Sequence, residues 1–267
     1  MKITIRKLAA LGAAIATTGV AQAAPFHAKQ FHETSALSGV SAPLLLAAGE
    51  GGEGGEGGLS QDEDMAFHVA AGEIEGRLTA AVALYAQGEA KAAMAHLVRP
   101  ADGIYQGLQP LLTEFNAPGF ADELTALADA VEAGAPADDV ETRLKAAIAA
   151  IAASTTPESA HELALTVAML VRIAGQDFAK GVADGKVTDA HEYQDAWGYV
   201  QSAKRMVAAA PDWVREEYGS ELETINGYLD GLDAAWPDLT GDSGTQMDAS
   251  VIAGAAARIE IVSLRMD

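Results

Sequence analysis

The chain has 267 residues, with 38 Asp and Glu against 17 Lys and Arg, a formal net charge of −21 and no cysteine. A surface that acidic repels nucleic acid and anionic lipid, and suits a protein that works among cations. Without thiols there is no disulfide framework, no thiolate metal site and no CxxCH for covalent haem.

The first residues carry a short basic region (Lys2, Arg6, Lys7), then an Ala-rich apolar run from Leu8 to Val20, then Ala21-Gln22-Ala23. This order predicts a secretory signal peptide over residues 1–23, a mature chain starting near Ala24, and a periplasmic or secreted location. The run is too short and too rich in Ala, Gly and Thr to span a bilayer well. Residues 24–59 show no periodicity and end in Gly-Glu units between Gly49 and Gly58. That composition predicts a flexible, solvated tether, and His27 and His32 within it are given no role.

Helical periodicity begins at Ser60, which with Glu63 reads as a capping box. A helix to Gln87 is expected to bury Met65, Val69, Ile74, Leu78, Val82 and Tyr85, with Gly88 stopping it. A second, Glu89 to Arg99, carries His96 and ends before Pro100. A third, Asp102 to Phe115, contains Pro110, which should kink it. Phe120 to Val131 and Val140 to Ala153 form a hairpin about Ala133-Gly134-Ala135-Pro136.

Thr155-Thr156-Pro157 opens the most informative stretch, His161 to Val200. Leu163, Val167, Leu170, Val171, Ala174, Phe178 and Val182 recur at helical spacing, Gly185 breaks the pattern, and Asp189 with Glu192 caps a return helix burying Tyr193, Trp197, Val200 and Met206. Pro211 starts a further helix that runs through Trp213, Tyr218, Leu222, Ile225 and Leu229 to Trp236-Pro237. Gly241 to Gly244 is a loop, and Val251 to Met266 a last, Ala-rich helix. Nothing alternates like a strand. The expected fold is all-α, with antiparallel helical hairpins packed as one or two bundles over residues 60–154 and 155–267.

Two constellations have the residue types of a metal site. His68 and Glu75 lie seven apart on one helical face, with His96 on the next helix; imidazole and carboxylate together suit iron, copper or zinc. In the second, a turn near Lys186 would put Asp177 level with Asp195 and Lys180 level with Glu192, with His161, Asp184 and His191 as outlying candidates. Each residue also has a structural reading. Asp177 can bond Tyr193 or Lys180, Glu192 is the third position of a capping box, and Asp195 can lie on a solvated face beside His191. A ferritin-type di-iron centre needs a Glu-x-x-His pair on each of two helices, a doubled pattern this chain lacks. HExxH, GxSxG and P-loop motifs are absent, so no enzymatic activity is expected.

Asp177-Phe178, Gly181-Val182, Asp184-Gly185-Lys186-Val187 and Glu192-Tyr193 together resemble a helical segment in the periplasmic extension of some bacterial iron permeases of the oxidase-dependent iron transporter class. The resemblance covers residues 161–200 and implies an iron-uptake or related metal context. Transport and haem attachment are not implied, because the chain has no membrane-spanning segment after its leader and no cysteine. The combined expectation is an exported helical protein that binds a metal ion, iron above others. Its partner would be a membrane transport or electron-transfer protein, without nucleic acid or membrane insertion. The alternative is a metal-free helical scaffold for such a complex.

Overall fold

The computed structural model describes residues 61–267; the expected signal peptide, the tether and the Ser60 cap lie outside them. Nine α-helices occupy this region: α1 Gln61–Ala86, α2 Ala90–His96, α3 Gly103–Glu114, α4 Ala121–Glu132, α5 Ala137–Ser154, α6 Ala160–Gly181, α7 Ala190–Ala208, α8 Asp212–Asp230 and α9 Ala249–Ser263. The all-α expectation holds. The one departure is a two-residue antiparallel ladder, Val182–Ala183 with Lys186–Val187, joining α6 to α7.

Local chemistry sets the boundaries. Gly88, at φ +87°, ends α1 as expected. Asp189 caps α7 by accepting from the His191 and Glu192 amides, and Ser159 caps α6 by accepting from Glu162, so Ser159 rather than Thr155 or Thr156 opens that helix. Helix α3 runs through Pro110 as one element, whereas α8 has non-helical geometry at Tyr218 (φ −119°, ψ 29°), a break the apolar spacing did not signal. Helix α2 stops at His96, short of Arg99.

Helices α6, α7, α8 and α9 pack in a closed ring, each against the next and α9 back against α6. Their shared core is centred on Phe178, Tyr193 and Trp236, with the Trp236 indole donating to the Tyr193 carbonyl at 2.9 Å. A second core gathers Phe67, Ile74, Leu78, Leu108, Leu124 and Ile151 from α1 to α5. Helix α1 serves both, sending Val69 into the first and Phe67, Ala71 and Ile74 into the second.

The crossing of α1 over α7 is unusually close. A Cβ on Gly198 would lie 2.2 Å from the Gly76 carbonyl oxygen, and one on Gly76 would lie 2.8 Å from the Gly198 carbonyl carbon. Only two glycines facing each other permit this approach. It brings the polar face of α1 at Glu73 and Arg77 against α7.

Candidate metal centre

On α7, His191, Asp195 and Tyr199 recur every four residues and so share a face, turned towards α1 and α2. His96, the last residue of α2, meets it. The His96 ring is 1 % exposed, with Nδ1 2.7 Å from Asp195 Oδ1 and Nε2 2.8 Å from Gln194 Oε1. His191 Nε2 is 3.4 Å from Asp195 Oδ2, and its ring stacks on His96 with centroids 4.3 Å apart and planes at 14°. One ligand atom from each of His96, His191 and Asp195 lies within 4.8 Å of the other two. Arg77 closes the group, its guanidinium 3.1 Å from Asp195 Oδ2 and donating through Nε to Tyr199 Oη at 3.2 Å.

The charges are strongly coupled. Burial works to raise the Asp195 carboxyl, but the His96 hydrogen bond and the charges of Arg77, His96 and His191 outweigh it and hold the group below its ordinary value. Burial holds the His191 imidazole down, helped by His96 and Arg77, with Asp195 opposing; this favours the neutral ring that a metal requires. Burial also pushes Glu73 up to about 7, with Asp177 and Asp195 adding repulsion and Arg77 offsetting it. The Tyr199 phenol is pushed well above its ordinary range, chiefly by burial, and stays protonated.

The residues expected from sequence are redistributed. His96, assigned there to the His68/Glu75 set, instead meets Asp195 from the second set and the outlying His191. His68 is 3.0 Å from Glu162 Oε1, and Glu75 is held by the Arg205 guanidinium through two hydrogen bonds, so neither reaches His96. The physical reason is distance. Seven residues along a helix span about 10.5 Å, more than one ion can bridge, and α1 turns those two residues towards α6 and α7 rather than α2.

Asp177 and Asp195 do not pair across the hairpin. The turn is centred on Asp184-Gly185 (φ +51° and +73°), ahead of the expected Lys186, and this moves the position opposite Asp177 from Asp195 to Glu192. Asp177 instead accepts from Lys180 at 2.6 Å, and Lys180 reaches Glu192 at 3.4 Å, the one cross-hairpin contact that falls where expected. Burial and the nearby Asp177 raise the Glu192 carboxyl. Glu192 therefore faces Asp177 and Lys180 instead of completing its capping box. His161 bonds the Ser263 carbonyl at 2.9 Å, far from the centre.

Glu73, Arg77 and Gln194 went unrecognised. The first two had a signal: an i, i+4 acid–base pair, each member directly following a glycine, Gly72 and Gly76. Gln194 had none, because its role depends on partners 98 and 45 residues away.

The fold thus defines a class, an all-α protein whose last four helices close a four-helix ring. Residues 153–263, which hold α6 to α9, match the family model of the iron permease-associated 4-helix bundle domain. The resemblance read from residues 161–200 falls inside this segment. No curated protein and no solved structure matches the chain. His191 and Asp195 lie in the matched segment, whereas His96 and Arg77 precede it, so the centre is assembled across its boundary. No helix among the described residues is long and apolar enough to cross a membrane.

Proposed function

We propose that the protein is a non-enzymatic metal-binding protein of an iron-uptake system, carrying iron as cargo at His96, His191 and Asp195. The observation that carries this reading is the convergence of two imidazoles and one carboxylate where α2 meets α7, with His96 and Asp195 buried and His191 half-buried. That donor set suits ferrous iron, and also the zinc and copper ions that follow it in affinity. The iron permease-associated domain supplies the context, with a membrane permease as the partner that gives or receives the ion. Export to the periplasm would put the acidic chain where that exchange takes place. Arg77 competes with any bound cation for Asp195, which favours an affinity low enough for hand-over.

A metal-free scaffold is the second reading. One observation favours it: both His96 nitrogens and both Asp195 oxygens already have protein partners, so the network can lock α2 onto α7 unaided. Anaerobic titration with Fe²⁺ separates the two. Saturable binding that depends on His96 and His191 supports the carrier, and no binding supports the scaffold.

A further inference from the structure

The Leu239 main-chain carbonyl has no proton to give and can only accept a hydrogen bond. Gln194 Nε2 donates to it at 3.1 Å. This fixes the amide: turned over, it would set one oxygen against another. Gln194 Oε1 is therefore the atom facing His96 Nε2 at 2.8 Å, and an amide oxygen can likewise only accept. His96 Nε2 must then carry a proton. The remaining nitrogen, Nδ1, faces Asp195 Oδ1 at 2.7 Å; a carboxylate oxygen also only accepts, so in the metal-free protein Nδ1 donates to it, and an ion bound beside Asp195 takes the place of that proton.

From this chain of obligate donors and acceptors we infer that Gln194 is a positioning residue for the metal centre, holding the proton on His96 Nε2 so that Nδ1 is the nitrogen given to the ion. The inference rests on the reading of His96, His191 and Asp195 as a metal site and adds the ligating atom and the residue that selects it. Gln194 is itself buried, at 4 % exposure, so water cannot replace its oxygen without opening the α2–α7 seam. The Leu239 carbonyl is steady for a separate reason. Asp238, next to it, accepts from the amides of Gly241, Asp242 and Ser243 and from the Thr240 hydroxyl, which ties down the loop after the 3₁₀ turn Asp233–Ala235. A ligating histidine elsewhere commonly gives its second N–H to an oxygen acceptor, and removing that acceptor weakens metal binding by about tenfold to a hundredfold.

The test uses ¹⁵N-histidine-labelled protein, with Zn²⁺ as a diamagnetic probe and His96→Gln to assign the signals. In the wild-type protein His96 should show a persistent Nε2–H without metal, and on zinc addition Nδ1 should take the metal-bound shift while Nε2 keeps its proton. Gln194→Leu should raise the zinc Kd by about tenfold to a hundredfold and lose the Nε2–H protection. Gln194→Glu, which keeps an oxygen acceptor, should retain the Nδ1 pattern. Zinc bound through His96 Nε2, or a Gln194→Leu protein with wild-type Kd and pattern, overturns the inference and leaves the metal reading standing. A wild-type protein that binds no zinc overturns both. The wild-type spectrum decides the ligating atom without relying on any variant to fold.

Discussion

At the scale of single residues, Glu73 and Arg77 set the electrostatics of the centre from α1. Glu73 has its carboxyl raised to about 7, first by burial and then by Asp177 and Asp195. A group whose folded-state value exceeds its unfolded one favours the folded protein at low pH, and that benefit is lost as pH rises through the folded value. Charging Glu73 in place therefore destabilises the protein progressively between about pH 4.5 and pH 7, and fully above it. Glu73→Gln should match the wild-type melting temperature near pH 4.5 and exceed it near pH 8. A difference that does not change with pH would contradict the assignment. Arg77 acts in the opposite sense, as the cation Asp195 keeps in the absence of metal. Arg77→Gln should lower the stability of the metal-free protein by about 1–3 kcal/mol, the range for a lost hydrogen bond to a buried charged group. The same change should tighten metal binding by at least about tenfold, because a positive charge beside the ion is removed. Calorimetric titration of both proteins measures this, and weaker binding by the variant would make Arg77 a support of the metal rather than its competitor.

At the scale of elements, the centre depends on how near α1 comes to α7. Gly76 and Gly198 let the two backbones touch, so Gly198→Ala must push the helices apart or strain one of them. The expected cost is about 3 kcal/mol, the upper part of the range for overpacking. It should be accompanied by a longer Arg77–Asp195 separation. A fully stable Gly198→Ala protein, judged by denaturant midpoint, would contradict the crossing. The sequence was most legible at this scale. The 3.6-residue apolar repeats and the caps at Asp189 and Pro211 marked the helices, because local chemistry decides those features. The break at Tyr218 in α8 had no such local mark. Helix α3 continues through Pro110, which lies in an exposed turn.

At the scale of the whole molecule, the centre joins parts of the chain far apart in sequence. His96 and Asp195 are 99 residues apart and become partners only because α2 docks on α7. The residue types were recognisable in the sequence, and His96, Asp195 and His191 were all among the candidates. Their grouping was not, since it turns on which helices meet and on a hairpin turn centred ahead of Lys186. The matched bundle, residues 153–263, brings two of the three donors, and the preceding helices bring the third. The central claim is that these three side chains bind iron together. Anaerobic calorimetric titration of Fe²⁺ into the full chain tests it most directly, with the His96→Gln, His191→Gln double variant and the Asp177→Asn variant run alongside. Wild type and Asp177→Asn should bind one ion with similar affinity, and the double variant should lose that binding while keeping its helical circular dichroism. Equal binding by the double variant, or no binding by the wild type, would contradict the account.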